Sequence, residues 1–281
     1  MGDLVVKDNA LIEASHKLSE AEQRLILLAI VKGREFCDSI GQLKGKELTI
    51  HADDYIQAFR VDKSTAYRVL RKAVVDLYRA EWGYKYVNSK GATVVRYERF
   101  TQSAEYVESG AEVKFRFADA IIPMLVELER NFTSYEVKQI ANLQSRYAMR
   151  LYEFLIRFKT SKKLEISLED LRFRFGLLAH EYSRMSDFKK DVLDLAVKQI
   201  NEHTDITVTY EQHKKGRLIS GFSFKLKQKQ QAKKIEKNRD PNTADLFTKM
   251  TDAQRHMFSH KLSEMPEMSR YSQGTESYQQ F

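Results

Sequence analysis

Part of this chain occurs twice. "KSTAYRVLRKAVVDLY" (Lys63 to Tyr78) and "SDFKKDVLDLAVKQIN" (Ser186 to Asn201) run in parallel at a constant offset, with Val69, Leu70, Ala73 and Val74 meeting Val192, Leu193, Ala196 and Val197. In both, apolar residues recur at the three- and four-residue spacing of an amphipathic helix. Upstream lies a second match, "LTIHADDY" from Leu48 and "LEISLEDL" from Leu164, where a β-like triplet runs into an acidic helix start, with a spacer seven residues longer in the second copy. Downstream, Trp82, Tyr84 and Tyr86 before "NSKG", and Ile206, Val208 and Tyr210 before "HKKGR", alternate like strands entering a turn. Each copy therefore reads helix, short strand, helix, turn, helix, β-hairpin, the order of a winged helix-turn-helix. The expected fold is α+β, with two tandem winged helices related by internal duplication.

The remaining segments are expected to be scaffold. Ser19 and Glu22 form a capping box ahead of the apolar run Leu25 to Val31, which marks a long first helix with more apolar surface than one core face needs, enough for a subunit contact. "VKFRF" (Val113 to Phe117) alternates like a further strand of the first domain, and Pro123 is expected to open a helix that carries the chain across. Ser145 to Phe158 would be the second domain's long helix. The expected boundaries are 1–122, 123–228 and a tail, 229–281. Seven Lys or Arg from Lys225 to Arg239 against one acid, Glu236, and a Gln- and Ser-rich end make that tail flexible in this reading. Helical periodicity from Ala244 to Leu262 and a short "ADLF" (Ala244 to Phe247), similar to peptides that dock on a sliding clamp, are its only local features.

The chain of 281 residues carries a formal charge of +8, with a pI near 9.3, which favours a polyanionic partner and nucleic acid before membrane. A lone cysteine, Cys37, excludes an internal disulfide and multi-cysteine metal sites and suits a reducing cytoplasm. No signal peptide or membrane span is read.

An enzyme is not expected, and neither is a cofactor or metal. "GQLKGKE" (Gly41 to Glu47) departs from a phosphate loop in spacing and has Glu47 where a hydroxyl should bind magnesium; His256 and His260 lack the intervening Glu of a zinc helix. The histidines of a metal-dependent nickase are missing, and no elbow presents a serine.

For DNA the pattern is better. Lys63, Ser64, Tyr67, Arg68 and Arg71 lie opposite the apolar side of the first repeated helix and can donate to phosphates or base edges, as a solvated face also would. In the second copy Tyr182, Ser183, Arg184, Ser186, Lys189 and Lys190 occupy the turn and first helical residues, with Asp187 as a cap or cytosine reader. Lys214, Lys215 and Arg217 arm its hairpin tip, whereas the first hairpin's turn holds only Lys90. Agreement between helix start and hairpin tip is what an ordinary basic surface would not produce.

"LVVKDNALIEASHKLSEAEQRLIL", "YAMRLYEFL" and "VLDLAVKQINEHTDITVTYEQHKKGRLISGFSFKLK" resemble the iteron-binding plasmid replication initiators of the two-winged-helix type, over about residues 4 to 227. The resemblance implies a monomer that binds direct origin repeats in double-stranded DNA, opens adjacent AT-rich DNA and helps load host helicase alongside the host initiator. It also implies a homodimer, in exchange with the monomer, that represses its own gene through an operator inverted repeat. By the same resemblance the helix from Ser186 reads most bases, Ser145 and Arg146 meet phosphate at a helix N-terminus, and Lys63 to Arg71 touch backbone or neighbouring bases. A dedicated repressor of the same fold is the alternative; a tyrosine nickase and a protein-binding scaffold are more distant ones.

Overall fold

The computed structural model describes residues 4–36, 40–126, 128, 131–229 and 252–263. Cys37, residues 230–239 of the basic run and the "ADLF" tetrapeptide lie outside these. Two compact units are present, Met1–Gln231 and Ala232–Phe281.

The first unit opens with β1 (Leu4–Asp8), α1 (Asn9–Glu13) and β2 (Ser15–His16), followed by α2 (Glu20–Phe36) and α3 (Ile40–Leu43). The first copy then runs β3 (Leu48–His51), α4 (Ala52–Phe59), α5 (Lys63–Arg79), β4 (Glu81–Val87) and β5 (Thr93–Arg99), and adds β6 (Thr101–Val107) and β7 (Glu112–Phe117). β8 (Phe132–Glu136) and α6 (Val137–Ile140) precede the second copy: α7 (Arg146–Arg157), β9 (Lys163–Ser167), α8 (Leu168–Arg174), a helix α9 from Met185 to His203, β10 (Ile206–Lys215) and β11 (Leu218–Gln228). The α9 helix has three stretches: Met185–Asp187, a π-helical Phe188–Asp194 and Leu195–His203.

The duplicated winged helix is therefore present, with one difference in pairing. In the second copy the short strand β9 adds to the wing, pairing with β11 through Gly221↔Ser167 to Lys225↔Lys163. In the first copy β3 pairs instead with β7, in the sheet β3-β7-β6, while the wing β4–β5 takes β2 as its third strand. The expected strand at Val113 to Phe117 is thus the second strand of an inserted hairpin and the middle strand of that sheet.

Pro123 begins only a three-residue 3-10 turn, Ile122–Met124. The chain crosses as an extended strand, because β8 is paired antiparallel with β1, from Leu4↔Glu136 to Asp8↔Phe132. The N-terminal segment consequently belongs with the second copy's scaffold, and its contact there is ionic. Lys7 Nζ lies 2.6 Å from Glu153 Oε1, Arg150 Nη1 lies 2.9 Å from Glu153 Oε2, and Tyr135 donates to Glu153 at 2.5 Å, all buried. Arg150 Nη2 also donates to the Ile12 and Ala14 carbonyls, each at 2.8 Å. Burial pushes the Glu153 carboxyl up, but Lys7 and Arg150 outweigh it and hold it below the usual range.

The Ser19–Glu22 capping box forms, with Ser19 N donating to Glu22 and Glu22 N to Ser19 Oγ. The apolar run that follows is used up inside: Leu25 to Ile30 are all buried, and Arg24 reaches across to the Ala141 and Leu143 carbonyls. Val31 is half-buried against the core, so of the run Leu25 to Val31 only that residue keeps any surface for the subunit contact expected there. In the second unit, Asp252–Ser263 forms helix α10, so this part of the expected flexible tail is ordered into a helix with Met257, Phe258 and Leu262 exposed.

Candidate nucleic-acid interface

The turn between α8 and α9 is built before its basic residues can be placed. Gly176 adopts φ +64, and a Cβ there would lie 2.5 Å from the His16 carbonyl oxygen, so only glycine fits against the N-terminal segment. Arg172 then gathers the turn: its guanidinium donates to the carbonyls of Tyr182 (3.2 Å), Leu178 (3.0 Å) and Glu181 (2.6 Å) and lies 5.6 Å from the Phe188 ring centroid. Glu181 accepts from Leu178 N and from Lys17 Nζ. Tyr182 is half-buried at φ +50, edge-on to Tyr147; it shapes the turn.

Beyond it Ser183 and Arg184 are exposed, and Arg184 is the N-cap residue of α9. Asp187, expected as a cap or reader, is not the cap; it sits in the first turn, where its charge complements the helix N-terminus, and accepts from Ser186 Oγ at 3.0 Å. Lys189 Nζ donates to Gln212 Oε1 on the wing at 3.1 Å, and Lys190 is exposed. The wing tip turns at Gly216 (φ +65), leaving Lys214, Lys215 and Arg217 exposed around it. Its base is tied to the helix by Tyr210 OH donating to Asp194 at 2.6 Å. Among the described residues, the side chains of Arg184, Lys190, Lys214, Lys215 and Arg217 have no hydrogen-bond or ion-pair partner. Unpartnered cations concentrated on one helix start and one hairpin tip are free to take phosphates and base acceptors.

The first copy has engaged most of its counterparts. Asp62 caps Thr65 N at 2.9 Å and accepts from Ser64 Oγ at 2.7 Å, and these bonds hold its carboxyl well below the usual range. Lys63 Nζ sits 5.5 Å from the Tyr67 ring, which is half-buried against the core. Arg71 is paired with Glu108 on the inserted hairpin and lies 6.0 Å from the Tyr106 ring, so the extra strands neutralise part of the helix face. Arg68 is exposed. At the wing turn Asn88 Oδ1 accepts from Lys90 N and Ala92 N, with Lys90 exposed.

At the start of α7, Ser145 Oγ accepts from Tyr147 N at 3.2 Å, and Gln199 Oε1 accepts from both Gln144 N and Ser145 N at 3.0 Å. Arg146 donates to Tyr147 OH at 2.5 Å. This end of the helix is thus already supplied with acceptors by the protein. Periodicity carried no signal for Arg172, Glu181, Gln212 or Gln199, since each reads as an ordinary polar residue until the turn is closed. Gly41 to Glu47 forms part of α3 and a turn at Gly45 (φ +71). The His256 side chain lies outside the described residues.

Two family models match in succession: "Initiator Replication protein, WH1" over residues 4–156 and "Initiator Rep protein, WH2" over residues 167–226. An Escherichia coli "Replication initiation protein" is 26% identical over 234 residues, covering 80% of this chain and 70% of that protein. An Escherichia coli "Uncharacterized 27.6 kDa protein" is also 26% identical, over 222 residues, covering 76% and 92%. Among solved structures, the Pi initiator protein in complex with iteron DNA superposes with a TM-score of 0.66 at 20% identity, over 82% of this chain and 99% of that one.

Proposed function

Because this chain belongs to the plasmid replication initiator family defined by those paired winged-helix models, we propose that it starts replication by binding directly repeated iterons in a plasmid origin. The observation that carries this is the cluster of unpartnered cations at the start of α9 and on the adjoining wing tip. In a winged helix these two places meet the major groove and the flanking backbone. Arg184, Ser186, Lys189 and Lys190 are assigned to base edges, and Lys214, Lys215 and Arg217 to phosphates. Lys63, Ser64, Tyr67, Arg68 and Arg71 make auxiliary backbone contacts. Tyr182 and Ser183 position the turn, Asp187 supports the helix start or accepts from a cytosine, and Ser145 and Arg146 reach phosphate only through the hydrogens left after their internal bonds.

In this reading a monomer occupies each repeat, the array opens neighbouring AT-rich DNA, and host initiator and helicase join it in the cytoplasm. A homodimer represses the chain's own gene. No described helix is long and apolar enough to cross a membrane. Residues 1–122, 123–228 and 229–281 are the proposed divisions, with residues 4–14 attached to the second.

Footprinting of the purified protein on DNA flanking its own gene, with random duplex as competitor, tests this. Evenly spaced protected repeats with one monomer each are expected. A single inverted repeat bound only by a dimer would favour a dedicated repressor.

A further inference from the structure

The two reading helices do not have the same register, although their sequences align without a gap. From Leu193 onward the copies agree: Leu193, Ala196 and Ile200 are buried as Leu70, Ala73 and Leu77 are. Toward the N-terminus the match slips by one. The next buried residue before Leu70 is Ala66, four positions back, but before Val192 and Leu193 it is Phe188, five positions before Leu193. The helix starts slip with it, at Lys63 and at Met185.

A regular α-helix extended backward from Leu193 would turn Lys189 into the core and rotate Phe188 outward by about 100°. Phe188 is instead fully buried, and Lys189 reaches the wing at Gln212. The π-helical stretch Phe188–Asp194 takes up the additional residue. Phe188 also lies under Arg172, the guanidinium that closes the preceding turn, so the displaced segment is anchored at both ends.

We propose that the π turn at Phe188–Asp194 is a specificity device: it sets the angular register in which Ser186, Lys189 and Lys190 meet the bases. The inference rests on the assignment of α9 as the reading helix. A wide turn of this kind is less stable than α-helix, and the first copy fills the corresponding core position with Ala66 on a regular helix. Its retention beside the basic cluster is what a reading role explains and packing alone does not. Lys189 then bears on specificity through both its position and its tie to the wing.

The test exchanges two neighbours, F188K together with K189F, which conserves length, composition and charge while restoring a regular helical pattern. Wild type and variant are each used to select duplexes from a randomised library, and affinities for the selected and random duplexes are measured alongside melting temperature. The expected result is a folded variant that loses at least tenfold more affinity for the wild-type sequence than Lys189→Ala does and selects a different sequence from the library. A second variant deletes Asp191, which leaves Phe188 four positions before the leucine and shortens the path by about 1.5 Å. It is expected to fold and to lose specificity in the same sense. A wild-type ratio of specific to random affinity in either folded variant would overturn the proposal. Failure of the deletion to fold would overturn it too, since the extra residue would then be a requirement of the core. A wild-type protein that enriches no sequence at all would instead remove the reader assignment, and this inference with it.

Discussion

The two winged helices share an element order and differ in what surrounds their third helix. In the first copy the inserted strands β6 and β7 take β3 away from the wing and bring Glu108 and Tyr106 to Arg71. In the second, β9 stays with the wing, no further strand pair is inserted, and the side chains of Arg184, Lys190 and the wing-tip Lys214, Lys215 and Arg217 stay unpaired. The two copies share a scaffold and differ in how far the side chains around each third helix are already paired, which is the ground for proposing the second as the reader. A count of Lys and Arg along the two helices would point the other way, because the first helix has five and the second three.

The largest expected effect would break the comparison altogether by dissolving the scaffold of one side. Glu153→Gln leaves Lys7 and Arg150 buried without their carboxylate and should cost about 3–5 kcal/mol. Because Lys7 is on the N-terminal strand, denaturant unfolding should lose signals from both copies together; a separate transition for the second copy would show the copies to be independent.

Next, Arg184→Ala or Lys190→Ala should weaken binding to the preferred sequence by about 1–3 kcal/mol with little change on random duplex. Arg68→Ala in the first copy should reduce both equally. Equal losses from all three substitutions would erase the distinction drawn between the copies.

A smaller effect is expected at the wings. Replacing Lys215 by Ala should lower the slope of log affinity against log salt by about one, the signature of a single phosphate contact, whereas Lys90→Ala should change it less.

A pH effect of stability, not of binding, is expected at His16, which is buried against Phe100 where the two copies meet. Burial, with Arg150, Lys7 and Arg146 nearby, holds its pKa well below the ordinary value. Its unfolded form therefore binds a proton that the folded form does not, so stability is full above about pH 6.5 and falls as pH drops below it, by at most about 1.4 kcal/mol per unit. His16→Phe should flatten that part of a stability profile measured from pH 7 to 5.

Much of the fold was legible because its signals are local. The repeated apolar positions place α5 and α9, and Ser19 with Glu22 marks α2. What escaped depends on contacts between distant segments. Pairing of Leu4–Asp8 with Phe132–Glu136 turned an expected helix after Pro123 into a strand, and it has no periodic signature of its own. The run Leu25 to Ile30 looked excessive for one face because its burial draws on both copies. At the proposed interface, sequence singled out the basic residues but not Arg172, whose three carbonyl partners gather only when the turn closes. The slip at Phe188 is invisible in an ungapped alignment because the extra residue is absorbed by backbone geometry.

The central claim, that α9 and not α5 reads the bases, is tested most directly by methylation protection of guanine N7 on the footprinted DNA. The account predicts that the major-groove protection seen with wild type disappears with the double variant R184A/K190A and persists with K63A/R68A. Protection lost with the first-copy pair and kept with the second-copy pair would contradict it.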